Sequence, residues 1–247
     1  MNTCTVNTTV AAKRSIDWIV IHYTAGTSSA VGCANSLAEW YKKGANPANP
    51  ASSDFIVDDE TVVQYNPDIA NRYTWGVGGS KYSKMSTSED GRYYGKCKNS
   101  NCINIEICSN KKNRKSMGAD DTDWYFTDSE LTLAAELVKY LMQEYNIPAD
   151  HVIMHHQVTG KLCPAMWVHS EVELEGGKRF RKMFTASTAE SNQMFYVQVG
   201  AFKSRENAEI YLAEVKKKIS RSVYKGYVNQ TPVGSVESAG GFLFYEF

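Results

Sequence analysis

Met154-His155-His156-Gln157-Val158-Thr159-Gly160-Lys161-Leu162-Cys163-Pro164 puts two imidazoles, an ammonium, a thiol and a chain-reversing proline within eleven residues. Such groups are costly to bury singly, so their clustering marks a site rather than a wall of core. The stretch is entered from His151-Val-Ile-Met154, a short β-branched run read as a strand. Upstream, Thr127-Asp-Ser-Glu130 is a capping box, in which hydroxyl and carboxylate satisfy each other's orphan N–H groups. The helix it opens repeats Leu131, Ala134, Ala135, Val138, Leu141 and Tyr145 on one face, and Asn146-Ile-Pro148 ends it. The helix and the strand after it lead directly into the reactive turn.

Further outward, Ile16-Asp-Trp-Ile-Val-Ile-His22 reads as a buried strand, closed by turn-like Tyr23-Thr-Ala-Gly-Thr27. His22 therefore stands near a strand's C-terminal end, where side chains open into a crevice beside the sheet. A lone histidine there is more often a hydrogen-bonded structural residue, and only partners change that. Val31 to Lys43 reads as a short amphipathic helix stopped by Gly44 and two Asn-Pro pairs. Phe55 to Gln64 reads as a hairpin with Asp58-Asp59 in its turn, and Asn71 to Gly95 as loop, with Trp75-Gly-Val-Gly-Gly79 its most distinctive part. Cys102-Ile-Asn-Ile-Glu-Ile-Cys108 alternates as a central strand with Asn104 and Glu106 on one face, so that the carboxylate points either to solvent or to a cation.

The 247 residues fit one medium domain and a small one, or one large one. Lysine and arginine total 27, as do aspartate and glutamate, which argues against electrostatic capture of nucleic acid or of an anionic membrane surface. The polar N-terminus, Met1 to Val10, carries no apolar run, and no stretch is long and apolar enough to span a bilayer. This predicts a chain made in the cytoplasm without a signal peptide, acting outside only after release. Six cysteines (4, 33, 97, 102, 108 and 163) in such a setting are expected to be free thiols, with one or more on a metal.

Zinc favours imidazole and thiolate in tetrahedral sites, and catalytic sites keep three protein ligands with a fourth position open. His22, one histidine of the 155–156 pair and Cys163 supply that number. Lys161 would bring positive charge for an oxyanion, and Glu106 a base. The competing reading makes the two histidines a surface loop, Cys163 a buried thiol and Lys161 a solvated charge.

Val-Ile-His-Tyr-Thr-Ala at 20–25, Asn-Ile-Glu at 104–106 and His-His-Gln-Val-Thr-Gly-Lys-Leu-Cys-Pro at 155–164 resemble the zinc-dependent N-acetylmuramoyl-L-alanine amidases of the phage lysozyme and peptidoglycan-recognition type, over residues 13–175. The resemblance implies an α/β fold with a mixed, mainly parallel sheet flanked by helices. It implies His22, His155 and Cys163 as Zn2+ ligands, the family's offsets selecting His155 and leaving His156 without a role. It further implies Lys161 at the oxyanion and Glu106 as acid/base; Trp75, in the distinctive part of a long loop of the kind that often carries function, is expected as a substrate contact. Where some members carry a catalytic tyrosine this chain has Ser53, which favours Glu106. The implied reaction is cleavage of the amide joining the lactyl group of N-acetylmuramic acid to L-alanine in bacterial peptidoglycan, in a phage or prophage endolysin; a host autolysin is the alternative setting. A non-catalytic peptidoglycan-binding protein is the rival from another class, and Cys163 argues against it. A zinc peptidase would need a ligand motif that is not seen.

Residues 185–193 read as a polar linker between a catalytic domain over 1–184 and a small α+β module over 194–247. Phe195-Tyr-Val-Gln-Val-Gly-Ala-Phe202 is a strand, a helix is expected from Ser204, and strands at Val223–Val228 and Phe242–Phe247. Residues 195–209 resemble the opening of a SPOR repeat, which binds glycan strands stripped of peptides. This implies Tyr196 and Gln198 as glycan contacts. The tail is shorter than the family needs, so its second half is missing, reduced or supplied by a partner chain, which would make a homodimer.

Overall fold

The computed structural model describes residues 4–27, 32–45, 47–82 and 86–185, with the backbone of 196–202, 225–229 and 241–246. The chain divides into two compact units, Met1–Ala186 and Ser187–Phe247. In chain order the first unit contains β1 (Thr8–Val10), β2 (Trp18–Thr27), α1 (Cys33–Lys42), β3 (Phe55–Val57), β4 (Val62–Gln64), β5 (Arg72–Thr74), β6 (Cys102–Lys111), β7 (Trp124–Tyr125), α2 (Asp128–Glu144), β8 (Val152–Met154), α3 (His155–Thr159) and α4 (Leu174–Thr185).

Strands β3, β6, β2 and β8 run parallel in that spatial order, β4 pairs antiparallel with β3, and β7 pairs antiparallel with the end of β6. This is the mixed, mainly parallel sheet expected. The pleat sends Ile103, Ile105 and Ile107 to one face with Ile19, Ile21, Phe55 and Val57, onto Ala134, Ala135, Val138 and Leu141 of α2 and Phe180 and Phe184 of α4. Each such burial contributes about 1.5–3 kcal/mol, so a slip of one residue is forbidden and the register is fixed. The other face carries Cys102, Asn104, Glu106 and Cys108. Beyond Cys108 it is covered by Ala34, Ala38 and Tyr41 of α1. At the Cys102 end it packs with Trp18, Val20 and Ile153. Asn104 and Glu106 lie between these two patches.

The helices are fastened by named groups. Asp58, fully buried in the β3–β4 turn, accepts the amides of Gly32 and Ala34 at the start of α1, each at 3.0 Å, and those of Glu60 and Thr61 at 3.1 and 2.8 Å. The Thr127 capping box forms as read: Glu130 N–H donates to Thr127 Oγ1 at 3.1 Å and Thr127 N–H to Glu130 Oε2 at 2.7 Å. In α4, Gly176 leaves room for the Trp167 indole, which a methyl group there would overlap.

Strand β2 runs past its expected end. Residues 23–27 stay paired with β6 through a register shift between Tyr23 and Thr27, with Ala25 at φ 47°, so the turn-like composition marks a bulge. Within 71–95, Arg72–Thr74 forms β5 and pairs with β1, and Gly91 and Tyr93 donate to the carbonyls of His156 and Gln157. None of the described helices is long and apolar enough to cross a membrane.

The second unit contributes β9 (Tyr196–Phe202), β10 (Lys225–Asn229) and β11 (Gly241–Glu246), an antiparallel sheet in the order β10-β11-β9. Tyr196 and Gln198 lie on β9, opposite Glu246 and Phe244. Residues 186–193 of the expected linker and the helix expected from Ser204 lie outside the described residues.

Candidate metal centre

Three of the predicted residues meet. His22, His155 and Cys163 are buried, and each offers a ligand atom within 4.8 Å of the other two. His22 comes from β2, and His155 is the first residue of α3, directly after β8. Gly160, at φ 82°, ends α3 and turns the chain back; His156 N–H then donates to the Cys163 carbonyl at 2.9 Å. A short helix and a tight return thus span the eight-residue offset between His155 and Cys163. The Cys163–Pro164 peptide is cis.

The donor set fits a zinc ion on its chemistry. His22 Nε2 bonds Asn104 Oδ1 at 3.0 Å, while Nδ1 lies 3.8 Å from Cys163 Sγ. His155 Nδ1 is buried with no hydrogen-bond partner among the described residues. Leaving such a nitrogen unpaired costs about 1–3 kcal/mol, which coordination removes. Burial pulls His22 down to about 3 and His155 well below its ordinary value, so both rings are neutral at physiological pH. The Cys163 thiol lies in an apolar pocket with Tyr23, Trp124 and Ala165. Burial pushes it up to about 12, against the pull of Lys161.

Glu106 stands beside this set. It is the register partner of His22 on the adjacent parallel strand, so both side chains leave the sheet on the same face. Its Oε2 is buried without a hydrogen-bond partner among the described residues. Burial raises its carboxyl to about 8, with Lys161 pulling the other way. Lys161 is solvent-exposed, yet its charge acts on Glu106, His22, His155 and Cys163. Partial desolvation lowers its own ammonium, and the electrostatic pull of Cys163 and Glu106 more than offsets this, leaving it raised.

Trp75 is placed differently. Its indole N–H donates to Thr9 Oγ1 at 2.9 Å and its amide to Ser52 Oγ at 3.1 Å, which fastens it to β1. Ser53 is fully buried against the Tyr41 hydroxyl. His156 plays a structural part. Its Nδ1–H donates to the Lys161 carbonyl at 2.9 Å, and its Nε2 meets Thr87 Oγ1 at 2.8 Å and the Asp90 carboxylate. Adjacent helical residues diverge by about 100°, so when His155 faces the site its neighbour faces the loop over 86–97. The partnership of Asn104 with His22 is not among the expectations from sequence. Its place two residues before Glu106, on the same strand face, is the signal that points there.

Each of the two units matches a known family model. Residues 191–236 match the SPOR domain model. Among curated proteins, the N-acetylmuramoyl-L-alanine amidase CwlH of Bacillus subtilis is 29% identical over 147 residues, covering 60% of this chain and 46% of the relative. The N-acetylmuramoyl-L-alanine amidase XlyB of the same organism is 29% identical over 185 residues, covering 71% and 48%. This chain therefore spans about half the length of those relatives. The catalytic domain of XlyA aligns with 72% of this chain and 91% of its own at 27% identity, with a TM-score of 0.46. Residues 12–166, well over half of the chain and including all three ligand candidates with Glu106 and Lys161, match the model of the N-acetylmuramoyl-L-alanine amidase family, and the chain belongs to that family.

Proposed function

We propose that this chain is a zinc-dependent peptidoglycan hydrolase that cleaves the amide between the lactyl group of N-acetylmuramic acid and L-alanine. The observation that carries the proposal is the meeting of His22, His155 and Cys163 within 4.8 Å, with Glu106 in register beside His22. Zinc, when bound, supplies a Lewis acid that polarises the scissile carbonyl and makes water more acidic. Glu106 takes the proton of the attacking water on its free Oε2 and returns it to the leaving amine of L-alanine. Burial raises this carboxyl towards neutrality, which favours its holding the proton until the leaving amine takes it. Lys161 sets its ammonium against the charge that develops on the carbonyl oxygen.

The family match supports this reading over a non-catalytic binder, and the thiol of Cys163 completes the donor set on which it rests. The SPOR match supports a wall-binding role for the second unit, with Tyr196 and Gln198 on β9 as proposed glycan contacts. Dimerisation through that unit belongs to the same proposal, and sedimentation velocity of the intact chain reads it. The proposed setting is endolysin-type lysis; a host autolysin would instead clear its own walls without prior membrane permeabilisation. The direct test is clearing of a suspension of purified walls. The protein as isolated should clear it, chelator should stop it, added zinc should restore it, and Cys163→Ser should be inactive throughout. Undiminished clearing by the chelated protein would refute the zinc reading.

A further inference from the structure

Beyond the ligands, the structure contains a chain of buried polar side chains that ends on His22. Asp54, fully buried, accepts three donors: Asn66 Nδ2 at 2.7 Å, Thr74 Oγ1 at 2.8 Å and the Asn104 amide at 2.8 Å. Thr74 has one hydroxyl hydrogen and gives it to this carboxylate, so towards Asn104 it can only accept. The Asn104 group facing Thr74, at 3.0 Å, is therefore the NH2 end of the amide. The oxygen end faces His22 Nε2 at 3.0 Å and also receives the Cys102 thiol at 3.7 Å. An amide oxygen only accepts, so His22 Nε2 carries the hydrogen and Nδ1 keeps its lone pair on the Cys163 side.

The glycine-rich Trp75–Gly79 stretch completes the arrangement. Gly76 lies flat against Asn104: a methyl group there would overlap its Cγ and Oδ1 and come within 2.9 Å of its Cβ. The loop is pinned in that position by Asn99, whose Oδ1 accepts the amides of Gly76 and Val77 at 3.1 and 2.8 Å.

We propose that Asn104 is the positioning residue of the metal centre: held by Thr74, Asp54 and the bare backbone of Gly76, it fixes His22 in the tautomer that turns Nδ1 to the metal. The proposal rests on the zinc reading of the site. Partners of this kind are worth about 10–100-fold in metal affinity when removed. The clash at Gly76 makes the idea testable without touching a polar group.

The test uses the full-length protein and two readouts, zinc affinity by chelator competition and the imidazole 15N resonances of the zinc-free protein. Wild type should show His22 as a single Nε2–H tautomer. Asn104→Ala and Gly76→Ala should each weaken zinc binding about 10–100-fold and mix the tautomers. The double variant should bind no more weakly than Asn104→Ala alone, because the methyl acts through the amide. Thr74→Val should mix the tautomers and Thr74→Ser should restore both readouts, which keeps the test alive if Asn104→Ala fails to fold. Wild-type zinc affinity retained in folded Asn104→Ala or in Thr74→Val, or losses that multiply in the double variant, would overturn the positioning role. Failure of the wild type itself to bind zinc would instead sink the reading of the site.

Discussion

Glu106 is the register partner of His22 across the β2–β6 ladder, with no residue between the predicted base and the predicted ligand. Neighbouring strands lie about 4.8 Å apart, so the carboxylate is held at the edge of the metal position by backbone pairing and not by a mobile loop. Glu106→Gln keeps shape and removes the proton carrier. Its kcat on wall fragments should fall about 10²–10⁴-fold while one zinc per chain is retained. Loss of zinc from that variant would move Glu106 from base to ligand.

The Cys163 thiol must ionise to bind a metal, and burial holds it near 12. Both histidines are already neutral above their lowered values, so they add nothing to the pH slope near neutrality. Zinc affinity should therefore rise at least about tenfold per pH unit between pH 6 and 8. Competition titrations across that range would show a flat profile if the thiol were not a ligand.

Without metal, stability should peak on the acid side of neutrality, between 4.5 and 6.5, and decline on either side of that window. His22 and His155 are depressed in the folded state, so their contribution is present above pH 6.5 and is lost as pH falls from there towards about 3 for His22. Glu106 and Glu130 are raised from 4.5 to about 8 by burial, so their contribution is complete below 4.5 and is lost as pH rises through 8. Thermal unfolding of the chelated protein should give a lower Tm at pH 9 than at pH 6, and Glu106→Gln should shrink that difference. An equal difference in the variant would place the alkaline limb elsewhere.

Asp58 joins the β3–β4 turn to the first turn of α1 through four backbone amides. Asp58→Ala leaves those donors buried and should destabilise the protein by about 2–3 kcal/mol in denaturant unfolding. Asp58→Asn, which keeps one acceptor oxygen, should lose less. Equal losses in the two variants would argue that the carboxylate serves only as volume.

Much of this architecture is legible in the chain because its causes are local. The Thr127–Glu130 box, the period of α2 and the alternation of Cys102–Cys108 each depend on residues a few positions apart, and they form as read. The offset from His155 to Cys163 is likewise local, since α3 and the Gly160 turn set it. What escapes reading depends on distant partners. Nothing in Tyr23–Thr27 announces a bulge that keeps pairing with β6, and three-residue β1 is a strand only because β5 lies against it. The loop over 86–97 is ordered by the carbonyls of His156 and Gln157, some 65 residues on. Asn104 reads as one polar residue of an alternating strand until Gly76 and Thr74, about 30 positions upstream, are seen to hold it.

The central claim is the bond that is cut. Purified peptidoglycan digested with the full-length protein and analysed by mass spectrometry should yield glycan strands with intact lactyl carboxyl groups and stem peptides with new free L-alanine amino termini, and neither product should form with chelator or with Cys163→Ser. Products cut within the stem peptide or between sugars, or the same products from the chelated enzyme, would contradict it.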